Sequence, residues 1–153
     1  MTMVGNAPSG LDWPKWLMFY AAASFAVYGT DAAINHLAFG PRSAIAENAL
    51  AYTPLIFAPL AVVACLLAFA VPRWRPALAW VTGALAVVVG ATGMGIHLLE
   101  NIENAQEAER ALTAFALSGP AALPFFAPAA FAATGIVVLL VGIDARLKRI
   151  REA

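Results

Sequence analysis

Apolar residues fill this chain in long blocks, and the charged ones collect between them. No charged residue occurs between Glu47 and Arg73, between Arg75 and Glu100, or between Arg110 and Asp144. A helix crosses the hydrocarbon core in roughly 20 apolar residues, so each gap holds one spanning segment. A fourth block runs from Trp16 to about Ala38, interrupted by Asp31, Asn35 and His36. The pattern predicts an all-α, integral membrane, up-down-up-down four-helix bundle with spans over about 15–38, 52–72, 76–100 and 121–143. Four spans in 153 residues leave no room for a soluble domain, so residues 1–153 read as a single four-span membrane domain.

The connections differ in length. "VPRWRP" is short and implies antiparallel neighbours. "ENIENAQEAERALTAFALSGPAALP" must hold structure outside the bilayer. Its part "NIENAQEAERALTAFAL" is rich in helix formers, which predicts a short extracytoplasmic helical extension after span three, ending before Gly119–Pro120. Pro54, Pro59, Pro124 and Pro128 should start or kink spans two and four, because proline withholds a backbone donor.

Composition agrees with the pattern. The chain is 62% hydrophobic and 12% charged, whereas a soluble domain is about 45–50% apolar and about 25% charged. The zero net charge hides a sorting by side. With four spans, the N-terminus, the 72–76 turn and the C-terminus share one end, carrying Lys15, Arg73, Arg75, Arg146, Lys148, Arg149 and Arg151. The other end has only Arg42 and Arg110, against Glu47, Glu100, Glu103, Glu107 and Glu109. Basic residues stay cytoplasmic, so both termini are expected in the cytoplasm, with the protein in the cell (inner) membrane and the acidic loops outside. The first block is too long for the apolar region of a signal peptide and lacks a basic cluster before it; it reads as a retained helix. Trp13, Trp16, Trp74 and Trp80 fall at or near the cytoplasmic ends of spans one and three, where an amphipathic ring suits the interface. "DARLKRIREA" should continue the fourth helix as its basic end.

The two halves resemble each other. Each has a Trp/Pro cluster, an apolar helix reaching one histidine, a polar loop and a proline-containing helix. Gly29 precedes His36 by seven residues, and Gly90 precedes His97 by seven. "FAP" recurs at Phe57–Pro59 and at Phe126–Pro128. A duplication of a two-helix unit would relate the halves by an axis along the membrane normal and make His36 and His97 symmetry mates.

Candidate chemistry centres on those two histidines. Spans one and three run in the same direction, and each histidine lies near the outer end of its span. Residues seven apart differ by about 20° around a helix, so Gly29, Ala32 and His36 share a face, as do Gly90, Gly93 and His97. Small faces of this kind let helices approach closely or leave room for a flat ligand. Beyond His97, Glu100, Asn104 and Glu107 continue one polar stripe, and Glu100 is placed to orient the imidazole or join it as a ligand. Asp31 lies about 140° from His36 by the same arithmetic; it is expected to face the bundle interior or a water-filled cavity.

Three readings stay open. His36, His97 and the acids can be polar groups of the membrane surface, as in a non-catalytic accessory subunit held against a membrane protein partner or a second copy. They can form a transition-metal site of His36, His97 and Glu100, with Asn35 or Asn101. Or the histidines can hold a b-type haem lined by Gly29, Gly90 and Gly93. The single cysteine, Cys65, excludes an intrachain disulfide and reads as a small packed residue. No phosphate-binding loop, dinucleotide fingerprint, HExxH, CxxC, nucleophile elbow or nucleic-acid-binding basic patch occurs, so no catalytic residue is assigned. Lipid is the one surrounding the composition demands.

Overall fold

The computed structural model describes residues 11–39, 49–107 and 126–152. Four helices dominate: α1 (Trp13–Ala33), α2 (Thr53–Ala70), α3 (Arg75–Glu107) and α4 (Phe126–Glu152). A π-helical turn, Ile34–Phe39, prolongs α1, and a 3-10 turn, Ala49–Tyr52, leads into α2. There is no strand among the described residues. The stretches long and apolar enough to cross a membrane are Trp13–Leu37, Thr53–Ala70, Arg75–Leu99 and Pro128–Lys148. This is a multi-pass membrane protein built as an all-α four-helix bundle. Residues 121–125, where the fourth span is expected to begin, lie outside the described residues; from Phe126 its helix runs through the apolar stretch Pro128–Lys148 and on into the basic tail. α3 continues past the apolar stretch to Glu107, as the helix formers there require; residues 108–125 lie outside the described residues, with the rest of the expected extension and Pro124.

Local signals explain the helix ends. Asp12 caps α1 by accepting the Lys15 N–H at 3.1 Å, with Pro14 in the first turn, where its missing donor costs nothing. Pro54 starts α2 in the same way, and Pro59 sits inside it. The Val71 N–H closes α2 on the Leu67 carbonyl at 2.8 Å. Arg75 Nε donates to the Ala68 carbonyl at 3.1 Å, satisfying one of the carbonyls that every helix C-terminus leaves open.

The helices form a ring in chain order, each packed on its neighbours, with α3 against α4 the most extensive contact and α1 against α2 next. Their buried positions fall three and four apart: Met18, Ala21 and Phe25; Ala58, Ala61, Cys65 and Ala68; Ala79, Thr82 and Ala86; Phe131, Thr134, Val138 and Val141. That is the spacing of a coiled-coil seam. The seam is small inside and large outside, since Ile56, Leu60, Val63, Leu66, Leu67, Leu85, Val88 and Leu140 are exposed. In water this arrangement would be inverted. At most 39% of the 18-residue apolar stretch in any span is buried, and the remaining apolar surface belongs to lipid, where association rests on close approach rather than on removing apolar area from water.

Glycines set that approach. A Cβ added at Gly135 would lie 2.8 Å from both Ala86 Cβ and the Val87 nitrogen, and one at Gly142 would lie 2.8 Å from the Trp80 nitrogen. Gly83 meets the Leu139 backbone in the same way. α3 and α4 therefore touch backbone to backbone over much of their length. At the basic end, Trp16, Phe19 and Phe69 form an aromatic cluster, with Lys15 Nζ 4.7 Å from the Phe69 ring centre. Trp13, Trp16, Trp74 and Trp80 are all exposed, as interface residues should be.

Candidate functional site

His36 and His97 meet across the bundle. Their half-buried rings lie with centroids 6.4 Å apart and planes tilted by 55°. They sit on α1 and α3, which are diagonal in the ring, and both lie toward the end away from the basic cluster. Co-directional helices with a histidine at the same depth bring this about. His36 is carried on the π-helical turn, whose i→i+5 geometry winds more slowly than an α-helix. Facing angles counted at 3.6 residues per turn thus fail beyond Ala33.

The glycines expected to leave room for a flat ligand are filled by protein instead. A Cβ at Gly29 would lie 2.6 Å from Ala58 Cβ on α2. One at Gly90 would lie 2.5 Å from the Ala132 nitrogen and 2.7 Å from the Pro128 carbonyl oxygen, and one at Gly93 would be 3.0 Å from Pro128 Cβ. Of the two roles open to these residues, close helix approach is the one they perform. The two halves use it alike: in each, the glycine seven residues before the histidine packs on the helix that carries "FAP".

Beneath the histidines the interior is closed by aromatic rings. Phe131 lies 5.8 Å from Phe25, 5.6 Å from Tyr28 and 6.4 Å from Phe57, centroid to centroid. Phe25 and Phe131 are buried. These rings place an apolar layer between the histidine pair and the basic end of the bundle.

Asp31 departs from expectation. It is exposed on the outside of α1, beside exposed Thr30 and Asn35. Asn35 Nδ2 donates to the Asp31 carbonyl at 2.9 Å and to its Oδ1 at 3.1 Å, and the Thr30 hydroxyl donates to the Ala26 carbonyl at 2.9 Å. The acid therefore takes no part in the interior. α1 is apolar on nearly every face, so the sequence offered no stripe by which to fix its rotation. The helix of α3 runs through Glu100, one turn beyond His97, but the Glu100 side chain lies outside the described residues, as does that of Asn101. Among the described residues, no group of three or more His, Cys, Asp or Glu is placed to hold a metal ion.

One polar device was missed from sequence. Arg75 is buried at the basic end and donates from Nη1 to Oδ1 and Oδ2 of Asp12, each at 3.0 Å. A capping aspartate just before span one and an arginine opening span three were the available signal. The chain matches no protein-family model, no curated protein and no solved structure.

Proposed function

We propose that the His36–His97 pair is a two-imidazole ligand site near the outer face of the membrane, and that its ligand is a b-type haem or a single transition-metal ion. The observation that carries the reading is the 6.4 Å between ring centroids. With metal–nitrogen bonds near 2 Å, imidazoles on opposite sides of one ion have centroids roughly 6 Å apart, whereas two corners of a tetrahedral ion bring them to roughly 5 Å. The observed separation lies in the range that lets one ion sit between the two rings. A haem iron takes two ligands from the protein, the number that the pair supplies. The π-helical turn under His36 adds support, because such turns recur at functional sites. Glu100, one turn past His97, is the candidate to accept a ring N–H and fix the tautomer. Gly29, Gly90 and Gly93 serve the site only by positioning the helices that carry it.

The orientation that goes with this reading has both termini in the cytoplasm and the histidines toward the exterior of the cell (inner) membrane, on the strength of the basic-residue asymmetry. The test is the absorption spectrum of the protein purified from membranes, with elemental analysis. A Soret band that disappears in both His36→Ala and His97→Ala establishes the haem. Stoichiometric metal without that band, lost in the same variants, establishes the ion. A protein with neither, unaltered by added haemin or divalent metals, overturns the site and leaves an accessory role.

A further inference from the structure

Asp31 is exposed on the outside of α1, inside the stretch Trp13–Leu37 that is long and apolar enough to cross a membrane. It lines a shallow groove on the outside of α1 with Ala26, Val27, Thr30 and Ile34. Fifteen residues separate it from the interface residue Trp16, about 22 Å along a helix, and the span continues to Leu37. Against a hydrocarbon thickness of about 30 Å, this carboxylate is within the apolar layer, several ångströms short of its outer boundary. A carboxylate offers roughly four acceptor positions, and Asn35 Nδ2 supplies Asp31 with one donor.

We propose that this groove is the docking face for a transmembrane helix of a partner protein, and that the partner presents a lysine or arginine to Asp31 in the outer half of the bilayer. Charge complementarity selects that occupant. Intramembrane acids pair with other polar or charged groups rather than with lipid, and an ammonium or guanidinium provides several donors to the unfilled acceptor positions. A second copy fits poorly. Two chains inserted with the same topology would set Asp31 against Asp31, and the sequence has no lysine or arginine between Lys15 and Arg42 to answer it. The small side chains Ala26 and Thr30 at the groove let a helix come close, and Val27 and Ile34 supply its apolar flank. The inference is independent of the histidine pair, which lies on the interior.

The test uses the full chain, labelled and reconstituted in phosphatidylcholine bilayers, with synthetic leucine-alanine transmembrane helices. One helix carries a single lysine at the depth of Asp31, and its control carries leucine there. Energy transfer should show the lysine helix binding about tenfold more tightly than the control, the scale of an interhelical polar contact in model peptides. Asp31→Asn, which keeps an acceptor for Asn35, should remove most of that preference, and Val27→Trp, which fills the groove, should weaken binding of the lysine helix. Equal binding of the two helices, or a lysine preference that survives Asp31→Asn, overturns the proposal. So does efficient crosslinking between copies through Val27→Cys in a Cys65→Ser background, which would make the occupant a second copy.

Discussion

Arg75 donates from one nitrogen to both carboxylate oxygens of Asp12, across 63 positions of sequence, and so ties the start of α1 to the turn that opens α3. The arginine side chain is 10% exposed and the aspartate 49%, so the pair sits at the boundary between the bundle and the aqueous phase. Desolvation pushes the Asp12 carboxyl up, but the hydrogen bonds from the Lys15 amide and Arg75 outweigh it, and its pKa is lowered.

Asp12→Ala should therefore destabilise the protein, because it leaves a buried guanidinium donor unanswered. Such a loss is about 1–3 kcal/mol, with water at the half-exposed position keeping it toward the lower figure. Denaturant unfolding in detergent micelles measures it. The double variant Asp12→Ala/Arg75→Met should recover only part of the loss: no guanidinium is left unanswered, but the Ala68 carbonyl loses its donor and the Lys15 N–H its cap. The pH dependence has a definite sign. A carboxyl that titrates lower when folded contributes stability above its unfolded pKa of about 3.9, and that contribution is lost as pH falls through the lower folded value. Asp12→Asn should lack this acid-side loss.

The glycines of the α3–α4 seam should be intolerant of any side chain. Gly83→Ala and Gly135→Ala each put a methyl into facing backbone, and overpacking of this kind costs about 1–3 kcal/mol. Gly95 is the internal control. No described atom lies within 4 Å of a Cβ placed there, so Gly95→Ala should be neutral or stabilise by up to about 1 kcal/mol through helix propensity. Thermal unfolding followed by circular dichroism separates the two classes, and equal losses at all three positions would contradict the packing described.

Glu100→Gln tests the acid beside the proposed ligand site without removing a ligand. If Glu100 orients His97, added haemin or metal should bind roughly 10–100-fold more weakly to the variant. An unchanged titration would separate Glu100 from the site and leave the histidine pair to be judged by its own variants.

Reporter fusions decide the orientation. Fusions at Ala44 and Gln106 should report the exterior, and fusions at Arg73 and the C-terminus the cytoplasm. A cytoplasmic signal at Gln106 would reverse the assignment.

The four helices and their order were legible because charge is excluded from the hydrocarbon, and gaps in charge measure spans directly. The meeting of His36 with His97 was legible as well, since it follows from helix direction and depth alone. Rotation was not. In a soluble bundle a polar stripe marks the outer face, but here lipid and core are both apolar, and Asp31 could be assigned to the wrong side. The usable signal was size: Ala21, Ala58, Ala61, Ala68, Ala79 and Ala86 point inward while leucines point out. The role of Gly29, Gly90 and Gly93 depended on which neighbour each one faced, and the π-helical turn at "INHLAF" has no residue that demands it.

Contact between bare backbones gives the α3–α4 pair a mechanical character. Where side chains interdigitate, a small displacement is absorbed by rotamer changes; where peptide planes touch, nothing yields. Gly83 is 14 residues from His97, about 21 Å along α3, and close contacts to α4 recur between them at Gly90 and Gly93. α1 has no such rail on either side. The imidazole of His97 thus stands four residues beyond Gly93, the last glycine at which α3 is held against α4.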